Sequence, residues 1–113
     1  MIEFDESFVD AAAPNVNAIR NGRGLVLKGK FISFQKDAND TLLFGECGGS
    51  GKSNYHCSAD FIVPDKPVYR CSCPSRQFPC KHTLGLLYAF VDGKDFQTGD
   101  VPEDITDKRD KAE

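Results

Sequence analysis

The sequence predicts a small α+β domain, a three- or four-stranded antiparallel sheet with one packing helix. Three observations carry that expectation. Residues 25–71 hold several runs of β-prone residues separated by turn signals. Residues 71–82 read Cys-Ser-Cys-Pro-Ser-Arg-Gln-Phe-Pro-Cys-Lys-His, which packs four metal-donor side chains into twelve residues. Leu84, Leu86, Leu87, Tyr88, Phe90 and Val91 then form an apolar stripe wide enough for one helix face. The chain has 113 residues, 40% of them hydrophobic. A core of that size is marginal alone, and a bound metal is a usual staple for it.

Pro14 and Gly22 bracket one short helix, because proline is tolerated in a first turn and glycine favours a stop. Residues 25–35 carry Leu25, Leu27, Phe31, Ile32 and Phe34 among lysines and read as a strand. A turn at 36–40 leads to a second strand at 41–47. A glycine-rich connection at 45–54 leads to a third at 55–63. Pro64-Asp65-Lys66-Pro67 marks a tight turn before a fourth strand at 68–71, which runs into the donor cluster. Asp92-Gly93 stops the last helix. The chain thus divides into an acidic segment with a short helix (1–24), a sheet with a metal-binding finger (25–95), and a charged tail of linker or disordered character (96–113).

Cys71, Cys73, Cys80 and His82 supply three sulfurs and one imidazole, a complete tetrahedral shell for Zn²⁺. Such a site has no open position for water or substrate, so the metal is structural. Two residues separated by one cannot share a helix face, so Cys71 and Cys73 belong on a strand end or knuckle. Pro74 forces Cys73 away from helical dihedrals. Cys80 and His82 belong where loop becomes helix, with the positive helix terminus facing the thiolates. Three thiolates against one divalent ion leave net charge, which Arg70, Arg76 and Lys81 are placed in sequence to offset. A Cys71–Cys73 redox pair is the rival reading. Cys47 and Cys57 read as buried thiols on neighbouring strands, placed to lie opposite each other. His56 falls on the face away from Cys57, which makes it a surface residue.

The run Cys71-Ser-Cys-Pro-Ser-Arg-Gln-Phe-Pro-Cys-Lys-His-Thr-Leu-Gly-Leu-Leu resembles the signature of SWIM-type zinc finger proteins, Cys-x-Cys, a spacer, then Cys-x-His. It is most similar to the bacterial branch, as is the upstream Gly45-Glu-Cys-Gly-Gly-Ser-Gly-Lys followed by Tyr55. The resemblance spans residues 42–91. It implies a ββα zinc module in which the metal ties a hairpin to a helix. It also implies a non-catalytic domain that contacts DNA or protein, in that branch in the context of AAA-type ATPases.

Charge and motif arguments narrow the function classes. Net charge is −3, but residues 15–91 hold ten bases and five acids between acidic ends. A basic middle permits a polyanion partner without requiring one. Lys28, Lys30, Lys52, Arg70, Arg76 and Lys81 are the candidate nucleic-acid contacts. No concentrated basic stripe appears, which favours a protein partner over nucleic acid. Enzymatic readings lack an open metal site, a nucleophile–base pair and a phosphate loop, because the spacing from Gly45 to Gly51-Lys52-Ser53 is wrong for one. No small-molecule substrate is expected. No apolar run is long enough to span a bilayer, and clustered cysteines without a secretory signal suit a reducing cytoplasm.

Overall fold

Two side-chain caps start the helical part of the chain. The Asp5 carboxylate accepts the Phe8 amide at 3.0 Å and opens α1, Glu6–Ala12. Asn15 Oδ1 accepts the Ala18 amide at 2.8 Å and opens α2, Val16–Leu27. The computed structural model describes residues 4–48, 54–62, 67–72, 80–101 and 105. Within them follow β1 (Phe31–Lys36), β2 (Leu42–Cys47), β3 (Tyr55–Asp60), β4 (Val68–Cys71), α3 (Lys81–Val91) and β5 (Gln97–Thr98). The expected turn at 64–67, the glycine-rich stretch at 49–53 and the knuckle at 73–79 lie wholly or mostly outside the described residues.

The sheet order is β4-β3-β2-β1-β5. The first four strands are antiparallel, as expected. The two residues of β5 add a parallel edge, Gln35 opposite Gln97 and Lys36 opposite Thr98, so the sheet is mixed and five-stranded. A two-residue strand carries no alternation to read in a sequence. The β1–β2 turn is fixed by Asp37, whose buried carboxylate accepts from the Thr41 amide and hydroxyl and from the Leu42 amide.

The α-helical content differs from expectation in two places: α1 precedes Pro14, where no separate helix is expected, and α2 is longer than expected. The helix expected to stop at Gly22 runs on to Leu27, and residues 25–27 are helix rather than strand. Gly22 is a packing residue. A Cβ there would come within 3.0 Å of Leu84 Cβ and 3.2 Å of the Lys81 carbonyl. Gly85 answers it from α3, where a Cβ would meet the Gly22 carbonyl at 3.0 Å and the Phe31 ring at 2.8 Å. Two glycines face to face let α2 and α3 approach at backbone distance. The true stop is Gly29, at φ 66°. Its amide donates to the Val26 carbonyl at 3.1 Å, and the Lys30 amide to the Leu25 carbonyl at 3.0 Å, which closes a Schellman turn.

Helix α3 lies across one sheet face. Leu84, Leu86, Leu87 and Tyr88 pack there on Leu43, Cys57 and Ala59. The Tyr88 hydroxyl donates to the Asp10 carboxylate, and the Arg23 guanidinium sits 4.1 Å from the Tyr88 ring centroid while pairing with Glu6. Those contacts fasten α1 and α2 to α3. On the opposite face, Leu42 and Phe44 form a smaller cluster with Val101 and Ile105.

Substituting Gly85→Ala is expected to destabilise the zinc-loaded chain by about 1–3 kcal/mol, because the new methyl meets backbone and ring that cannot retreat. Gly24, on the same helix as Gly22, has nothing within 4 Å of a Cβ. Gly24→Ala should therefore stabilise by about 0.5–1 kcal/mol. Urea midpoints of the two variants check both signs.

Candidate metal centre

The end of β4 and the start of α3 bring three donors together. Cys71 is the last residue of β4, and the register Cys57↔Cys71 turns it to the face that α3 covers. Cys80 is the N-cap of α3, with extended dihedrals (φ −80°, ψ 172°), and His82 lies in the first turn. Because Cys80 is still non-helical, residues separated by one can converge. Cys71 Sγ and Cys80 Sγ each lie 3.8 Å from His82 Nδ1. The three donor atoms all fall within 4.8 Å of one another. A tetrahedral zinc holding sulfur at ~2.3 Å and nitrogen at ~2.0 Å separates S from N by about 3.6 Å. The trio fits that spacing closely. Cys73, the fourth expected donor, lies outside the described residues.

The electrostatics suit a cation. The Cys80 thiol is pushed down to about 3, chiefly by its hydrogen bond with Cys71 and further by His82 and Thr83, against the opposing effect of burial. It also sits at the positive end of α3. Thiolate, imidazole and helix terminus match the soft, deprotonated donor set that zinc selects. Cys47 is different: burial pushes its thiol above the ordinary value, so it stays neutral.

Two residues that the sequence did not single out for the site support it. Tyr55 shares a sheet face with Cys57 and packs on the His82 ring, centroids 4.8 Å apart. Thr83, fully buried, places Oγ1 3.7 Å from Cys80 Sγ and 3.5 Å from the Arg70 carbonyl. That contact links α3 to β4 beside the donors. The period-2 pattern of β3 puts Tyr55 on the donor side; nothing comparable marks Thr83.

Other expected residues fall elsewhere. Arg70 points to the face opposite Cys71 and donates to the buried Asp60 carboxylate at 3.0 Å, so it does not offset the thiolates. Lys81 is exposed at the start of α3, and Lys28 and Lys30 are exposed after α2. Lys52, Arg76 and Phe78 lie outside the described residues. His56 is exposed beside Glu46 at 3.5 Å, away from the donors as expected. Cys47 and Cys57 are not opposite each other: Cys47 faces Tyr55, and Cys57 faces Gly45 on one side and Cys71 on the other.

Metal removal is expected to loosen β3, β4 and α3 together, because binding energy at such a site is folding energy. Hydrogen exchange before and after chelation checks this: protection in 55–60, 68–71 and 81–91 should collapse with loss of zinc. Acidification should release zinc in the same way, since protons compete for each donor.

Residues 55–90 match the family model of the SWIM zinc finger. Comparison with curated proteins and with solved structures finds no match in either. The matched stretch begins with β3, contains the donor trio and ends one residue before the close of α3. The match supports a SWIM-type zinc finger over residues 55–90, and the Cys71, Cys80 and His82 cluster at the junction of hairpin and helix fits a Zn²⁺ site.

Proposed function

We propose that Cys71, Cys73, Cys80 and His82 together hold one structural Zn²⁺, and that the finger so formed is a non-catalytic interaction module whose partner is a protein. The observation that carries the first part is the convergence of Cys71, Cys80 and His82 within 4.8 Å. Three protein donors of this kind leave one tetrahedral position, and Cys73, two residues from Cys71, is the donor at hand. A shell closed by protein leaves no site for substrate activation.

The protein-partner reading rests on charge and exposure. Of the basic candidates in the described residues, Arg70 is spent on Asp60, with side chains 15% and 4% exposed. Ile62 and Val68, at the β3–β4 end of the finger, are 52% and 49% exposed. Exposed apolar side chains next to a rigid module suit a protein surface better than a phosphate backbone. The resemblance to the bacterial branch makes an AAA-type ATPase the first partner to test. No described helix is long and apolar enough to cross a membrane, and the reduced thiol donors suit a cytoplasmic setting.

Cys73→Ser, Cys80→Ser and His82→Ala are each expected to lower bound zinc well below the roughly one ion per chain of the wild type, read by elemental analysis. Full zinc retention in Cys73→Ser would remove that residue from the shell. The partner class is tested by crosslinking the metal-loaded chain and recovering it with and without nuclease. Nuclease-resistant capture, lost in Cys80→Ser, is the expected outcome. Tight binding to duplex DNA that weakens steeply with salt would instead establish the nucleic-acid reading.

A further inference from the structure

We infer that Cys57 and Cys71 form a disulfide under peroxide, and that this bond ejects the zinc: the finger carries its own redox release. The inference rests on Cys71 being a zinc ligand. Cys57 and Cys71 are register partners on β3 and β4. The Ser72 amide donates to the His56 carbonyl at 3.0 Å, one residue beyond the pair on each strand. That bond makes Cys57 and Cys71 a non-hydrogen-bonded antiparallel pair, the closer of the two types, with Cα atoms about 4.5 Å apart. Disulfides span Cα separations of about 4.4–6.8 Å, so the backbone already meets the requirement.

The side chains are now turned to different tasks. Cys57 Sγ, buried, is directed to the Gly45 carbonyl at 3.6 Å, while Cys71 Sγ lies 3.8 Å from His82 Nδ1. Forming the bond requires both side chains to leave these contacts, and the Cα separation of such a pair lies within the range a disulfide spans. Cys71 cannot then serve the metal, so one disulfide removes one donor from the shell.

The chemistry balances with hydrogen peroxide as the oxidant. The Cys71 thiolate attacks the O–O bond, takes one oxygen as sulfenic acid and, with one proton, releases water. The Cys57 sulfur then attacks the sulfenic sulfur, forming the S–S bond; the sulfenic oxygen leaves as a second water with the Cys57 proton. The two cysteines lose two electrons and peroxide gains them. A dithiol reductant reverses the bond by exchange and regenerates both thiols.

The test uses the full zinc-loaded chain and its Cys57→Ala and Cys57→Ser variants, all first assayed for zinc. Hydrogen peroxide is added, released zinc is followed with a chromogenic chelator, and the products are alkylated and mapped by tandem mass spectrometry. The wild type is expected to release zinc with a Cys57–Cys71 linkage, and dithiothreitol plus zinc to restore it. The variants should release zinc about tenfold more slowly, having lost the resolving thiol. A wild-type linkage of Cys71 to Cys73, Cys80 or Cys47, or release as fast in both variants, overturns the switch and leaves the zinc site standing. Zinc absent from the reduced wild type overturns the ligand assignment, and the switch with it.

Discussion

The structure depends on one junction, the place where the first turn of α3 meets the last residue of β4. Cys71 ends a strand and Cys80 caps a helix, so neither can be moved without moving its whole element. Holding both to one ion would fix the first turn of the helix against the end of the strand. Thr83 bridges the same two elements through Cys80 and the Arg70 carbonyl. Removing the ion leaves a thiolate at a helix terminus, buried and short of its cation.

The rest of the fold works from the other side of α3. Gly22 and Gly85 remove the side chains that would keep α2 and α3 apart. Tyr88 collects contacts from α1 and α2 through Asp10 and Arg23. Phe4 packs on Phe61 and Phe90, tying the start of the chain to the end of the helix. The helix is therefore clamped along its length by apolar and aromatic contacts, and at its start by donors.

Much of this was legible in the residues. The donor spacing announced the centre, the alternation of β3 placed His56 outward, and Pro14, Asp92 and Gly93 marked helix boundaries within a few residues. The errors have physical causes. Gly22 reads as a stop because glycine is a poor helix residue, and only the opposing Gly85 shows why it sits inside one. Leu25 and Leu27 lie next to a β-prone run and share its composition, so local pattern could not separate helix from strand. Arg70 looked free to serve the zinc or a phosphate because its partner, Asp60, is ten residues away on the neighbouring strand. The pairing of Cys57 with Cys71 is a matter of register, which no local pattern sets.

The most direct measurement is the X-ray absorption spectrum of the purified chain at the zinc edge. The account predicts roughly three sulfurs at ~2.3 Å and one nitrogen at ~2.0 Å, with no coordinated water. A shell dominated by oxygen donors, or material that holds no stoichiometric zinc, would contradict it.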